Sequence, residues 1–220
     1  MFNTTVTLSQ FWQAMIDTFY MVGFSLFIGS LLGIPLGVLL VVTRPGGIME
    51  NNIVFKCLNP VVNMVRSLPF IILLVAIIPF TKLIVHTSIG TAAAIVPLII
   101  FVAPFIARLV ENSILEVDEG IIEAALSMGA SPLQTIWHFM LPEALGSLIL
   151  SLTTATISLL SATAMAGAVG GGGVGDLAIS YGYERFDSFI MLVTVIVLII
   201  FVQTMQSLGN WLAKKVRREH

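Results

Sequence analysis

Long apolar runs restrict the possible folds of this chain more than any other feature of its sequence. The first run, 19–42, contains no charged side chain, and about 20 apolar residues suffice to cross a bilayer as a helix. It is also longer than the apolar core of a secretory signal, about 7–15 residues, so we expect a retained helix. Of the 220 residues, 57% are hydrophobic and 10% are charged, whereas soluble domains carry about 25% charged residues. We therefore expect an integral membrane protein.

The other apolar runs predict an all-α membrane protein in which residues 1–220 form a single domain with five transmembrane helices. Pro45 and the two glycines after it end the first run, because they cannot continue a helix. The second run is the least regular, since Arg66 and Pro69 lie in its first turns. The expected spans are about 19–42, 61–80, 89–109, 144–169 and 188–208, and a more polar segment, about 110–143, separates the third from the fourth.

The basic residues predict how these spans are oriented. An odd number of spans places the two chain ends on opposite sides of the membrane, and Lys and Arg concentrate in cytoplasmic segments. With the N-terminus outside, every Lys and Arg except Lys82 and Arg185 lies on the inner side. We therefore predict an N-out, C-in topology, which places residues 110–143 in the cytoplasm.

This cytoplasmic segment has the pattern of two short helices separated by a glycine. Asp118 or the residue after it can cap the first helix, and Gly129 suits the left-handed position that ends one. The sequence SPLQ at 131–134 can begin the second helix with a capping box. We expect that helix to end near Met140, before the pair Leu141–Pro142. The result would be a rigid helix–glycine–helix projection.

The residues of this projection allow more than one function. A DNA-binding helix-turn-helix is excluded, because the segment has no Lys or Arg after Arg108 to neutralise phosphates. The net charge of −2 likewise provides no basic field to attract nucleic acid. An interfacial linker with ordinary caps and a docking element for a cytoplasmic partner both fit, and the pattern alone leaves these two open.

The segment EAALSMGA followed by LP at 141–142 resembles the EAA loop of ABC importer permeases. Phe139 is a mild departure, since the family pattern usually has Ile or Val there. In that family the loop forms the coupling helices, which bind in a groove on the ATP-hydrolysing subunit. The resemblance therefore implies that coupling to an ATPase depends on Glu123, Ala124, Ala125, Gly129, Ala130, Leu141 and Pro142.

Four further segments resemble the permease subunits of methionine-uptake ABC importers. They are TRPG at 43–46, RSLPFIILL at 66–74, APFIARLVEN at 103–112 and AVGGGGVGDLAISYGY at 168–183. The resemblance covers nearly the whole chain. It implies a translocation subunit that moves a small amino acid-like solute, methionine in the first place, into the cytoplasm by alternating access.

The same resemblance implies the partners and the location of the chain. It implies two cytoplasmic ATPase subunits and an extracytoplasmic substrate-binding lipoprotein, in contact with membrane lipid in the bacterial inner membrane. Five spans from one chain are few to enclose a solute path, so we also expect a second copy in a C2 homodimer, which would supply ten. ATP and Mg²⁺ would bind to the ATPase subunits. This chain itself would bind no cofactor and catalyse no reaction.

The predicted fourth span carries a stripe of small hydroxyl residues on one face. Close helix packing explains such a stripe, and so does a pathway wall whose hydroxyls pair transiently with a solute. Met165 extends the stripe outward, either as a flexible plug near the outer end or as ordinary gap-filling. The pathway and gate candidates are Ser147, Ser151, Thr154, Ser158, Ser161 and Met165.

The glycine run at 170–176 is similar to a phosphate-binding loop but lacks its lysine. Asp176 stands at the lysine position and would repel phosphate. We expect a tight turn at the outer mouth of the protein instead. The residues after it, Tyr181, Tyr183, Glu184 and Arg185, are candidates for contact with a binding protein, and an interfacial aromatic belt explains the tyrosines equally well.

An ion-coupled secondary carrier or channel for a small polar solute is the alternative function class. Such proteins use ionisable residues buried mid-membrane as relays, whereas no acid or histidine lies in the middle of a predicted span. A membrane enzyme is disfavoured because no His/Cys or His/Asp cluster with ligand spacing occurs, and the single Cys57 excludes an intrachain disulfide. No metal site is expected.

Overall fold

The computed structural model describes residues 6–218, and every regular element within that range is helical. The prediction of an all-α protein is confirmed. The helices are α1 (Leu8–Thr43), α2 (Asn52–Ser67), α3 (Phe70–Ala76), α4 (Ile78–Val85), α5 (Thr91–Leu115), α6 (Glu119–Ser127), α7 (Pro132–Thr135), α8 (Leu141–Gly167), α9 (Gly173–Asp176) and α10 (Ser188–Arg218), with π-helical segments at Ile136–Met140 and Leu177–Tyr183.

The described helices divide between two compact units. The first unit contains residues up to Gly29, together with Leu68–Val102 and Thr156–Met205. The second unit contains Ser30–Ser67, Ala103–Ala155 and the chain from Gln206 onward. The candidate coupling segment belongs entirely to the second unit.

Four described helices are long and apolar enough to cross a membrane. They are Leu8–Thr43, Thr91–Leu115, Ser188–Arg217 and the continuous helix Pro132–Gly167, which joins α7 to α8 through the first π segment. A fifth crossing is obtained only if α2 and α3, bent by 103°, count as one span. The membrane class is confirmed, whereas the N-out, C-in orientation stays a prediction.

The predicted second span, 61–80, differs most from the observed structure. Helix α2 ends at Ser67, and α3 begins after Pro69, whose φ of −57° and ψ of 134° place it outside the helix. A residue that precedes proline is driven away from helical geometry. The region therefore forms short bent helices instead of one straight span.

The second helix of the helix–glycine–helix projection also differs from its prediction, because it does not end near Met140. The N–H of Leu141 donates to the carbonyl of Ile136, five residues earlier, as in a π-helix. This wider turn shifts the hydrogen-bonding register just before Pro142, which has no N–H to donate. The chain can therefore continue directly into α8.

Glycines allow α1 to approach α5 closely within the second unit. A Cβ placed on Gly33 would lie 2.6 Å from the carbonyl oxygen of Ala103 and 2.8 Å from the Ile106 Cβ. Gly37, one turn later, is held in the same way against Ala107 and Val110. Gly33 and Gly37 thus form a small-residue stripe through which α1 packs against α5, as such stripes do in membrane helices.

Candidate coupling site and pathway face

Helix α6 is closed at both ends by local hydrogen bonds. Asp118 Oδ1 accepts the Gly120 N–H at 2.7 Å, which makes Asp118 the N-cap. At the other end Gly129 has a φ of 83° and donates its N–H to the Leu126 carbonyl. The Ala130 N–H donates to the Ala125 carbonyl at 3.1 Å, which completes a Schellman motif. The predicted N-cap and left-handed glycine are confirmed.

Helix α7 begins with the predicted capping box. The Ser131 hydroxyl accepts the Gln134 N–H, and the Gln134 side chain accepts the Ser131 N–H at 2.9 Å. Only Ala130 separates the Schellman glycine from Ser131. Because consecutive caps satisfy the backbone groups on both sides of the bend, the angle between α6 and α7 is held locally.

The coupling candidates divide into exposed residues and residues that anchor the projection. Glu123, Ala124 and Gly129 are exposed, while Ala125 is fully buried. Ala130, Leu141 and Pro142 are half-buried. The motif therefore supplies both an exposed surface and apolar residues that pack within the second unit.

Large apolar side chains that the motif does not include are exposed on the same projection. Trp137 is 66% exposed, and Leu126, Met128 and Leu133 are also exposed. Exposed apolar groups on a polar segment mark an interaction surface. Sequence reasoning did not identify Trp137 or Leu133, because their faces can be assigned only once α7 is known to continue through a π segment.

A cleft of about 480 Å³ separates α6 from the turn that follows α1. Arg44 and Gly46 line one wall, and Glu119 and Glu123 line the other. Gly46 adopts a φ of 77° and donates its N–H to the Glu50 carboxylate at 3.0 Å, which shapes the turn. The TRPG segment and the EAA segment thus face one another across a cleft of mixed charge.

The inner part of the serine stripe is hydrogen-bonded to α5 and its C-terminal extension. Ser147 Oγ donates to Glu116 Oε2 at 2.6 Å, and the hydroxyls of Ser151 and Ser113 lie 2.8 Å apart. Ser147 and Ser151 are half-buried. Their hydroxyls are therefore engaged inside the second unit.

The outer part of the stripe is more open. Thr154 and Ser161 are exposed and donate to carbonyls of their own helix, and Ser158 is half-buried. Met165 is 48% exposed. Together with Ser161 it lines an open apolar cavity of about 620 Å³ in the first unit, whose other walls include Ile71, Leu160, Ala164, Leu198 and Val202.

The glycine run folds into a turn packed within the first unit. Gly170, Gly172 and Gly173 all have φ near 80°. The Val174 N–H donates to Thr18 Oγ1 at 2.8 Å. A Cβ on Gly173 would lie 2.6 Å from the same oxygen, so the close approach requires glycine. This N–H is satisfied by the protein itself.

The binding-protein contact candidates are followed in the chain by one exposed aromatic residue that the sequence did not single out. The Arg185 guanidinium lies 4.2 Å from the centre of the half-buried Tyr181 ring. Tyr183 and Glu184 are exposed. Phe186 is 86% exposed and has a φ of 57°, which is unfavourable for a bulky residue.

Among residues 6–218, no three His, Cys, Asp or Glu side chains are grouped so that they could hold a metal ion. Apolar helices of spanning length, with an exposed, capped helix pair between two of them, define a polytopic membrane protein. A family model described as "Binding-protein-dependent transport system inner membrane component" matches residues 29–218. The chain belongs to this family.

Curated relatives are similar over most of their length. A Vibrio cholerae serotype O1 protein described as "Probable D-methionine transport system permease protein MetI" is 52% identical over 214 residues, 97% of this chain and 93% of its own. The Escherichia coli K12 protein described as "D-methionine transport system permease protein MetI" is 50% identical over 156 residues, 71% of this chain and 70% of its own.

Two solved structures have a similar fold. A chain from "Inward facing conformations of the MetNI methionine ABC transporter" matches with a TM-score of 0.92 and 44% identity, covering 96% of this chain and 99% of that one. A chain from "Crystal structure of an amino acid ABC transporter with histidines" has a TM-score of 0.77 at 18% identity, over 94% of each chain, and shares the fold alone.

Proposed function

We propose that this chain is the permease subunit of an ATP-driven importer that moves methionine, or a closely similar amino acid, into the cytoplasm by alternating access. The observation that carries the proposal is the capped α6–α7 projection. It exposes Glu123 and several apolar side chains, and the chain that bears it is similar along nearly its full length to proteins named as D-methionine permeases.

The projection is the proposed contact with the cytoplasmic ATPase subunits. ATP and Mg²⁺ bind to those subunits in this proposal, and this chain supplies the coupling surface. The exposed Trp137, Leu133 and Met128 provide apolar area for such a contact, because aromatic anchors carry much of the binding energy in protein interfaces. Glu123 adds a charge that an ATPase groove can recognise.

A second copy of the chain completes the proposed translocation path. Four or five crossings are few to enclose a solute, and a C2 pair doubles them and presents two projections. We assign the path to the outer stripe of α8, where Thr154, Ser161 and Met165 are exposed and Ser158 is half-buried. Met165 is the proposed gate, since its flexible apolar side chain can close the cavity that it lines.

Residues 181–186 are the proposed docking region for a substrate-binding lipoprotein in a bacterial inner membrane. Tyr181 and Arg185 form a stacked pair there, and Tyr183, Glu184 and Phe186 present exposed polar and aromatic groups beside it. Aromatic side chains of low conformational freedom are effective contact residues.

Reconstitution tests this function. The chain is purified with its ATPase, placed in proteoliposomes containing ATP, and given methionine and the binding protein. We expect uptake that continues after the proton gradient is collapsed, and Glu123→Lys should abolish that uptake in a membrane-inserted complex. Uptake that follows the gradient and ignores ATP would identify an ion-coupled carrier instead.

A further inference from the structure

We propose that two hydrogen bonds between α8 and the end of α5 make the coupling projection and these two helices move as one body. The bonds are Glu116–Ser147 and Ser113–Ser151, here called the seam. The inference rests on the proposed importer function. It assigns Ser147 and Ser151 of the α8 stripe a role other than lining the translocation path. All four are positioning residues, since they act through the projection rather than on the solute.

The geometry of the seam closes the base of the projection. Glu116 follows the last residue of α5, and Ser147 lies in the second turn of α8, so their 2.6 Å bond joins the two places where the projection leaves the helices. The acceptor is a charged carboxylate, and Glu116 itself is exposed to solvent. One turn deeper, the Ser113 and Ser151 hydroxyls lie 2.8 Å apart, and Ser113 is almost fully buried.

Other contacts make α5 a firm support for the seam. Arg108, in the same helix, bonds to Glu111 at 2.6 Å and reaches across to Asn59 and Asn63 of α2 at 2.7 and 2.8 Å. Helix α1 packs against α5 through Gly33, where no side chain fits. Helix α5 is therefore held on several sides.

Contacts with α10 hold α8 in a similar way. The Arg217 side chain lies across Gly146, one residue before the seam, where a Cβ would come within 2.7 Å of its Nε. Gly209 of α10 packs against Thr153 so closely that no side chain fits. Both connections of the projection, 116–118 and 141–146, are therefore held by contacts, so a force applied to α6 cannot be absorbed by bending there. The force is passed to α8, which continues without a break to Gly167.

The first test measures the coupling ratio, methionine transported per ATP hydrolysed, in the full importer in proteoliposomes. Ser147→Ala and Glu116→Ala, which remove the donor and the acceptor, should each lower this ratio about threefold to tenfold while ATPase binding and hydrolysis persist. The double variant should be no worse than either single one, because both remove the same bond. Ser147→Thr, which keeps the hydroxyl, should restore the ratio.

Thr204→Ala is the matched control, since that exposed hydroxyl bonds only to its own helix and the ratio should not change. An unchanged ratio in an assembled Ser147→Ala complex would overturn the inference. A wild-type complex that binds no ATPase, or shows no ATP-driven uptake, would instead refute the proposed function.

A second test does not depend on weakening the protein. In a Cys57→Ala background, the exposed native thiol is absent, and Ser113→Cys with Ser151→Cys places two thiols where the hydroxyls were 2.8 Å apart. If the seam stays closed through the cycle, the oxidised, crosslinked importer should transport at the rate of the importer that carries Cys57→Ala alone. A crosslinked importer that hydrolyses ATP without transport would show that the seam must open.

Discussion

The backbone N–H of Ala130 donates to the carbonyl oxygen of Ala125 at 3.1 Å, across a glycine with a φ of 83°. One hydrogen bond thus joins the start and the end of the EAA segment. The buried Ala125 anchors α6, while Gly129 reverses the chain so that Ser131 can cap the next helix. The spacing from the alanine pair to the glycine is a helix-ending motif as well as a contact motif.

Because the backbone of Gly129 is left-handed, the free-energy cost of replacing it should depend on the backbone preference of the new residue rather than on its size. A Cβ there meets nothing within 4 Å, so Gly129→Ala should cost about 1–2 kcal/mol from backbone strain alone. Gly129→Asn should cost less, since Asn tolerates this region. ATPase co-purification and ATP-driven uptake are the measurements, with Ala more impaired than Asn. Equal impairment would indicate that the glycine is needed for close contact with the partner.

Gly33 should be required for the packing of α1 against α5. A side chain at this position collides with the Ala103 carbonyl and Ile106, and overpacking typically costs about 1–3 kcal/mol. Gly33→Ala should therefore lower the thermal midpoint of the detergent-solubilised protein. Gly23→Ala, in the same helix with nothing within 4 Å, is the control and should leave the midpoint unchanged or raise it. A Gly33→Ala protein as stable as wild type would contradict this packing.

Trp137 should contribute strongly to ATPase binding. It is 66% exposed on the projection, and truncating an aromatic anchor in an interface costs about 2 kcal/mol or more, which is about a 30-fold loss of affinity. Binding of the purified ATPase to Trp137→Ala in nanodiscs measures this loss. Trp12→Ala removes a similarly exposed indole from the first unit and should leave affinity unchanged. Equal affinities of the two variants for the ATPase would show that Trp137 does not contribute to the contact.

Met165 should control leakage through the proposed path. Met165→Ala widens the apolar cavity that this side chain lines, so methionine should cross liposomes containing the variant without ATP. Met165→Leu keeps most of the volume and should stay closed. Met64→Ala removes an exposed methionine of α2 that does not line this cavity and serves as the control. A Met165→Ala variant that shows no leakage of methionine would indicate that the residue serves packing alone.

Local signals in the sequence were sufficient for the caps of the projection. Asp118, Gly129 and the Ser131–Gln134 capping box were all predicted, because each depends on residues within a few positions of one another. Pro69 is a local signal for this break too, but the apolar run around it predicts a single span with an irregular start. A bend of 103° depends on where the helices on both sides find their packing partners.

The sequence by itself determined the class of this protein, its helical content, the caps of α6 and α7 and the motif that points to an ATPase. These follow from transfer free energy and from short-range hydrogen bonding, which are properties of neighbouring residues. The tertiary structure alone decided that Ser147 and Ser151 bond to Glu116 and Ser113, while Ser161 and Met165 face an open cavity. A helical repeat shows which residues share a face, but not what each part of that face meets, because the partners come from distant parts of the chain.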